Sequence, residues 1–316
     1  MRGAPVLKTR AGRGFWYDTY RVGQAVKSRY IGPDAPEMRE RLARIESLKR
    51  QRDMRATERR RLVRILRAEG FLSLDAGTGS LLSALAAAGT FRLGGTIVGT
   101  HAFRLYEGEL GLRLTLDQAV VTQDVDVASF ERLSLALEDV TSPALADVLD
   151  DMSFSPLPSL EPGHVWRWRQ SETGTLVEFL TPSFSSDEGI RELPALGVHA
   201  RALHHLNFLI SEPIPAAVTY RSGVLAQIPR PERFAIHKLI VADRRLSGPE
   251  AAKAGKDLAQ ASLLIAALAE DRPDELAEAY HVAVSEGSRW RARIEASLRR
   301  IPEAAEILKG VVAARG

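Results

Sequence analysis

Cysteine is missing from all 316 residues, which excludes disulfides, thiolate metal sites and a cysteine nucleophile. Long apolar runs are missing as well. No uncharged apolar stretch reaches the roughly 18 residues that a membrane span needs, so no membrane segment is expected. Behind Met1-Arg2-Gly3-Ala4-Pro5 there is no apolar core of a signal peptide, and the expectation is a cytoplasmic protein. The seven histidines are scattered, apart from the neighbours His204-His205, and none has the spacing of a zinc site. There is no Gly-x-Ser-x-Gly elbow, so the hydrolase form of serine catalysis is also excluded.

What is present is charge, unevenly placed. The formal net charge is +3, yet residues 1–70 carry 19 Lys/Arg against 8 Asp/Glu, while the remainder carries 24 against 32. A basic block on an acidic body steers polyanions, and it points to a nucleic acid such as RNA as partner. A solvated arginine-rich helix that only confers solubility would show the same composition.

The chain length suits two or three structural units. Residues 5–31 alternate aromatic and β-branched residues between Gly12/Gly14 and Gly23, which predicts a small antiparallel meander. Gly32-Pro33-Asp34 ends it and offers a helix cap, with Pro36 just inside a charged helix that runs to Ala68. Within that helix Lys49–Arg55 and Arg59-Arg60-Arg61 are almost wholly polar, so it either breaks there or stands clear of a core. Leu72–Ser80 resembles the glycine loop of an S-adenosylmethionine methyltransferase. The acidic ribose ligand of that fold is lacking, since no Asp or Glu occurs between Asp75 and Glu107. It reads better as an Asp75 cap leading into a short helix over 80–88. Residues 91–98 read as strand and turn, followed by a helix start at Gly99-Thr100. Further strands are expected at 123–129, 164–169, 175–180 and 223–228, with a helix at about 142–150. After Pro231 the pattern is helical to the end.

Three elements carry chemistry. In Asp124-Val125-Asp126-Val127, residues two apart on a strand face the same side, so both carboxylates converge. Two such charges raise each other's pKa, and a divalent cation removes that penalty. About 25 residues earlier, Gly99-Thr100 follows a strand and opens a helix. Glycine there lets the backbone approach a phosphate, and the helix N-terminus offers free N–H groups. The third element is Glu178, alone in the apolar strand Leu176–Leu180; burying it calls for a metal or for a cation such as Arg167 or Arg169. Three carboxylates beside a phosphate-binding turn suit in-line displacement at phosphorus with two metal ions.

This order of a hydrophobic strand, Gly-Thr at a helix start, an Asp-x-Asp strand and a hydrophobic-Glu-hydrophobic strand resembles the polymerase-β-like nucleotidyltransferases. It is most similar to bacterial abortive-infection (AbiE-type) and minimal members, and the resemblance covers roughly residues 80–265. It implies that Gly99 and Thr100 cradle the phosphates of an NTP, ATP among them. It also implies that Asp124, Asp126 and Glu178 hold two Mg²⁺ (or Mn²⁺), with Glu178 helping to activate the acceptor hydroxyl. The Gly-Thr turn departs from the usual Gly-Ser but keeps the hydroxyl. Similar enzymes reach the phosphates with a lysine of the helical half, which assigns Lys238 and, further along, Lys256 beside Asp257.

The expected fold is thus a mixed sheet flanked by helices (α/β, or α+β), preceded by a meander with a long basic helix and followed by a helical C-terminal unit. The expected divisions are 1–71, 72–230 and 231–316. The expected reaction transfers an NMP to a hydroxyl of RNA, tRNA among them, or of protein, releasing pyrophosphate. An antitoxin partner belongs to the same resemblance. The alternative is a non-catalytic nucleic-acid-binding or regulatory protein on the same fold, with a methyltransferase third.

Overall fold

The computed structural model describes residues 3–22, 25–114, 124–130, 139–159, 161–185, 187–246, 248 and 250–315. The turn expected at Gly23 and the strand start expected at position 123 lie outside the described residues. The chain divides into two compact units, residues 1–62 and 63–316.

In the first unit, β1 (Ala4–Arg10), β2 (Arg13–Val22) and β3 (Ala25–Pro33) form the expected antiparallel meander. A β-bulge between Trp16 and Tyr17 shifts the register against β3. Helix α1 (Pro36–Ala68) follows without a break. The question the sequence left open is answered by propensity, because its polar middle consists almost entirely of good helix formers. Exposed pairs Glu46–Arg50 (2.5 Å) and Glu58–Arg61 (2.8 Å) add their small helical increments. At the junction, Asp34 accepts from the Trp16 indole (2.9 Å) and from Arg39 Nε (2.7 Å), which ties the first helical turn to β2.

In the second unit, α2 (Ala76–Ala88) starts four residues earlier than expected. Asp75 caps it, accepting from Thr78 N at 2.9 Å. Its first turn is Ala-Gly-Thr-Gly, which reads as loop in the sequence. Gly79 is nevertheless a packing residue, since a Cβ there would come within 2.3 Å of the Tyr220 ring. The strand expected over 91–98 shortens to β4 (Thr96–Val98), after a turn in which the Gly95 N–H donates to Thr90 O at 2.9 Å.

β4 opens a seven-stranded mixed sheet. β5 (Asp124–Ala128) runs antiparallel to β4 and parallel to β8 (Leu176–Pro182). The far edge of β8 is shared: β7 (Arg167–Gln170) pairs with its first half, and β10 (Val198–Leu203) runs parallel to its end. β6 (Phe154–Pro156) pairs with β7, and β9 (Ile190–Leu193) with β10. β11 (Ile214–Val218) and β12 (Val224–Ile228) make a separate hairpin. The sequence anticipated β5, β7, β8 and β12 but not β6, β9, β10 or β11; β6 and β9 are short, whereas β10 alternates along Val198–Leu203 and was legible but not read.

Helices α3 (Gly99–Leu110), α4 (Leu145–Asp151) and α5 (Leu206–Ile210) flank the strands. The C-terminal run is helical as expected, in α6 (Pro231–Leu246), α7 (Ala251–Asp271), α8 (Pro273–Ser285), α9 (Ser288–Leu298) and α10 (Pro302–Ala313). One buried apolar cluster runs from Leu74 through Val125, Phe179, Phe234 and Leu264 to Leu308, so sheet and C-terminal helices share a core. Within it, Phe234 of α6 stacks on Phe103 (6.3 Å between ring centres) and meets the edge of Tyr106 (5.3 Å), both on α3. The Tyr106 hydroxyl donates to Pro229 O at 2.9 Å. These contacts fix the start of α6 beside the helix that begins at Gly99.

Candidate active site

Register brings the three carboxylates to one face of the sheet. Val98 of β4 stands opposite Asp126, Asp126 stands opposite Glu178 on β8, and Asp124 lies two residues before Asp126 on the same face. Between them Val125, Val127, Val177 and Phe179 point the other way and are fully buried. Alternation thus anchors the sheet in the core and leaves the acidic face half-buried. All three carboxylates line a cleft of about 620 Å³.

Gly99 lines the same cleft. Its φ of +67° is a left-handed conformation that an L side chain rarely adopts. A Cβ at this position would lie 2.6 Å from Asp126 Oδ2, so the turn backbone and the carboxylate are in direct contact. Val98, in the cap position of α3, makes no side-chain cap bond, and the first turn of the helix has no acidic residue. That turn therefore presents backbone donors and a positive dipole end. Thr100 is half-buried in the same turn and is not among the residues lining the cleft.

Burial, and then Glu178 and Asp124, push the Asp126 carboxyl up to about 7, against the pull of Lys238 and Arg245. Glu178 is raised by burial and by Asp124, while Arg167, opposite it on β7, and Arg201 draw it down. Of the two cations the sequence suggested for Glu178, Arg167 lines the cleft and acts on Glu178 through its charge, and Arg169 is not among the lining residues.

The opposite wall comes from α6. Lys238 lies in the cleft wall, 7% exposed, and donates to Asp257 Oδ1 of α7 at 2.6 Å. Burial lowers the Lys238 pKa and Asp257 opposes that shift. The other oxygen of Asp257 accepts from Arg245, which also pairs with Glu250 at 3.2 Å. Lys256 is half-buried, one residue before Asp257, and is not among the cleft-lining residues. The sequence thus pointed to Lys238 and Asp257 separately, and the fold joins them as an ion pair 19 residues apart.

Sequence reasoning missed Arg201, Arg244 and Arg245 as cleft cations, and His237, which burial keeps neutral, as a further lining residue. With 43 Lys/Arg in the chain, nothing local marks those that face a site. The one usable signal was helical spacing, because Lys238 and Arg245 are seven residues apart and share a face of α6.

Oxygen donors alone at the acidic face suit a hard divalent ion. Mg²⁺ takes one or two carboxylates and completes its shell with water and phosphate oxygens. Among the described residues, no three His, Asp or Glu side chains stand close enough together to hold an ion unaided. The observation that fits a cation is Asp126 itself, a carboxyl pushed up to about 7 by burial first and then by its neighbours Glu178 and Asp124. A divalent charge there would relieve that repulsion.

A family model described as nucleotidyltransferase matches residues 76–285, which include Gly99, Asp124, Asp126, Glu178, Lys238 and Asp257. A second, described as a domain of unknown function (DUF6788), matches residues 1–40. Among solved structures, the chain is similar to an antigenic nucleotidyltransferase-like protein from Paracoccidioides brasiliensis. That match has 13% identity and a TM-score of 0.39, covering 75% of this chain and 95% of the other. No curated protein matches the chain.

Proposed function

This chain belongs to the nucleotidyltransferase family, and we propose that its cleft transfers an NMP from an NTP to an acceptor hydroxyl with release of pyrophosphate. The observation that carries this reading is the juxtaposition of Asp124, Asp126 and Glu178 on one sheet face with the Gly99 backbone in contact with Asp126. Asp124, Asp126 and Glu178 would hold the divalent ions, Mg²⁺ or Mn²⁺. Bound ions would neutralise the phosphates and polarise the acceptor hydroxyl. The turn at Gly99 would offer the free backbone N–H groups of the α3 start to phosphate oxygens. Thr100 adds its hydroxyl on the same turn. Lys238, oriented by Asp257, supplies positive charge from α6, with Arg245 beside it and Lys256 further out.

The acceptor hydroxyl belongs to an RNA, tRNA among them, or to a protein, and the reaction takes place in the cytoplasm, where NTPs are available. An AbiE-type toxin role would add an antitoxin partner. Its signature would be growth arrest on expression of the wild type and none with Asp126→Asn.

Pyrophosphate release, measured with each NTP in Mg²⁺, tests the chemistry. Asp126→Asn removes a metal ligand at constant shape, and the expected loss is about 10²-fold or more. Equal release by variant and wild type would remove the assignment.

A further inference from the structure

We propose that the outer face of the N-terminal sheet is a stacking platform for single-stranded nucleic acid. The sequence pointed to a basic block and an aromatic-rich meander, in which Trp16 and Tyr17 are adjacent, and it assigned no face to either. The fold separates that pair. Trp16 faces α1: its indole donates to Asp34, and a Cβ on Gly32, its partner across β2 and β3, would come within 2.5 Å of Met38 Cε. Asp18, on the Trp16 side of β2, is 2% exposed. Tyr17 faces the other way, where it joins Phe15 and Tyr30.

The three rings form one cluster. Tyr30 lies 5.7 Å from Tyr17 and 6.2 Å from Phe15 between ring centres. Tyr30 is 53% exposed, far more than an aromatic placed for packing would be. Lys8, opposite Phe15 on β1, sits 5.0 Å over the Tyr17 ring and donates to Ser28 Oγ at 3.0 Å. Arg10 and Arg13, paired across the β1–β2 turn, extend the positive charge beyond the rings. Both are exposed.

Charge complementarity selects the occupant. Residues 1–70 hold 19 basic against 8 acidic side chains, which favours a polyanion. An exposed Tyr30 ring beside the half-buried Phe15 and Tyr17 narrows the choice, because unpaired bases stack on aromatic side chains whereas a duplex hides its base faces. Lysine and arginine at the rim of the rings are then placed for the backbone phosphates. A protein partner would leave the excess of positive charge unexplained unless it were strongly acidic.

The test is fluorescence anisotropy with full-length protein and a labelled single-stranded RNA, the same sequence as single-stranded DNA, and its duplex, without NTP. The single strands are expected to bind more tightly than the duplex. Tyr30→Ala is expected to weaken single-strand binding about tenfold, and Tyr30→Phe, which keeps the ring and guards against a folding defect, to retain it. Lys8→Gln should lower the salt slope of binding by about one. Tighter duplex binding, an unchanged affinity in Tyr30→Ala, or binding only to an acidic peptide would each overturn the proposal. Preference for RNA over DNA would identify the strand as a candidate acceptor. Equal binding of both would keep the platform and place it outside acceptor choice. Since no NTP is present, failure here leaves the cleft chemistry standing, and Asp126→Asn should bind the strands as the wild type does.

Discussion

The two compact units use the same residue types in opposite ways. In residues 63–316 the charges that matter are withdrawn from water: Asp126 is pressed against Gly99, and Lys238 is buried against Asp257. In residues 1–62 the charges stand in solvent along α1 and the rim of the small sheet, and even the aromatic Tyr30 is exposed. Burial makes charge expensive unless it is compensated, so a buried group has one partner geometry and acts on one small ligand. Exposure leaves each contact weak and salt-sensitive, which suits a long, flexible polyanion. Chemistry belongs with the first arrangement and capture with the second.

The largest effect that could break this comparison is on turnover. Asp124→Asn or Asp126→Asn should reduce pyrophosphate release about 10²-fold or more while leaving single-strand binding unchanged. A matched loss of both activities would mean that the two units do not divide the work as described.

Next in size is the buried pair. Asp257→Ala leaves the Lys238 ammonium buried with less compensation and should cost about 3–5 kcal/mol in chemical denaturation. Replacing both partners with apolar residues, as in Lys238→Met with Asp257→Leu, should recover much of that stability but not the activity. Recovery of turnover in the double variant would deny Lys238 its role at the phosphates.

The acidic face should also make stability depend on pH. Asp126 keeps its proton to about pH 7 in the fold, against 3.8 for the ordinary group. At this group the folded state binds more protons than the unfolded state between about pH 4 and 7, so the Asp126 contribution to metal-free stability falls as pH rises through that window and levels off above it, against the rise contributed by the buried His101, His205 and His237. The Asp126 shift sets an upper bound of about 4 kcal/mol on its contribution, and solvent reaching the half-buried carboxyl lowers it. Asp126→Asn should remove this contribution, and Mg²⁺ should add stability above pH 7, where the carboxylate is free of its proton. Superimposable wild-type and Asp126→Asn profiles would mean that burial and the acidic neighbours do not hold the Asp126 proton.

The smallest effect is at Gly99. Gly99→Ala combines a left-handed φ with a Cβ 2.6 Å from Asp126 Oδ2 and should cost about 1–2 kcal/mol of stability. Thermal unfolding would read the cost, and an unchanged melting temperature would show that the turn has room to spare.

How much of this was legible follows from the range of each signal. The acidic face was readable because strand alternation is a two-residue period, and Asp124, Asp126 and Glu178 interrupt otherwise apolar strands. The meander and the C-terminal helices were readable for the same local reason. The pairing of Lys238 with Asp257, the arrival of Arg201 and Arg245 at the cleft and the sharing of the β8 edge by β7 and β10 all depend on contacts far apart in sequence. α2 was misjudged at its start because glycine signals turn flexibility in a sequence, whereas Gly79 is there for the Tyr220 ring. Alternation puts Trp16 and Tyr17 on opposite faces of β2, but which of them faces α1 could not be read until the contacts of Trp16 and Gly32 were known.

The most direct test of the central claim is to locate the ion. Crystals grown with Mn²⁺ and a non-hydrolysable NTP should show anomalous density about 2 Å from the oxygens of Asp124 and Asp126, with phosphate oxygens against the Gly99 turn. Density elsewhere, with those carboxylates turned away from nucleotide and ion, would contradict the account.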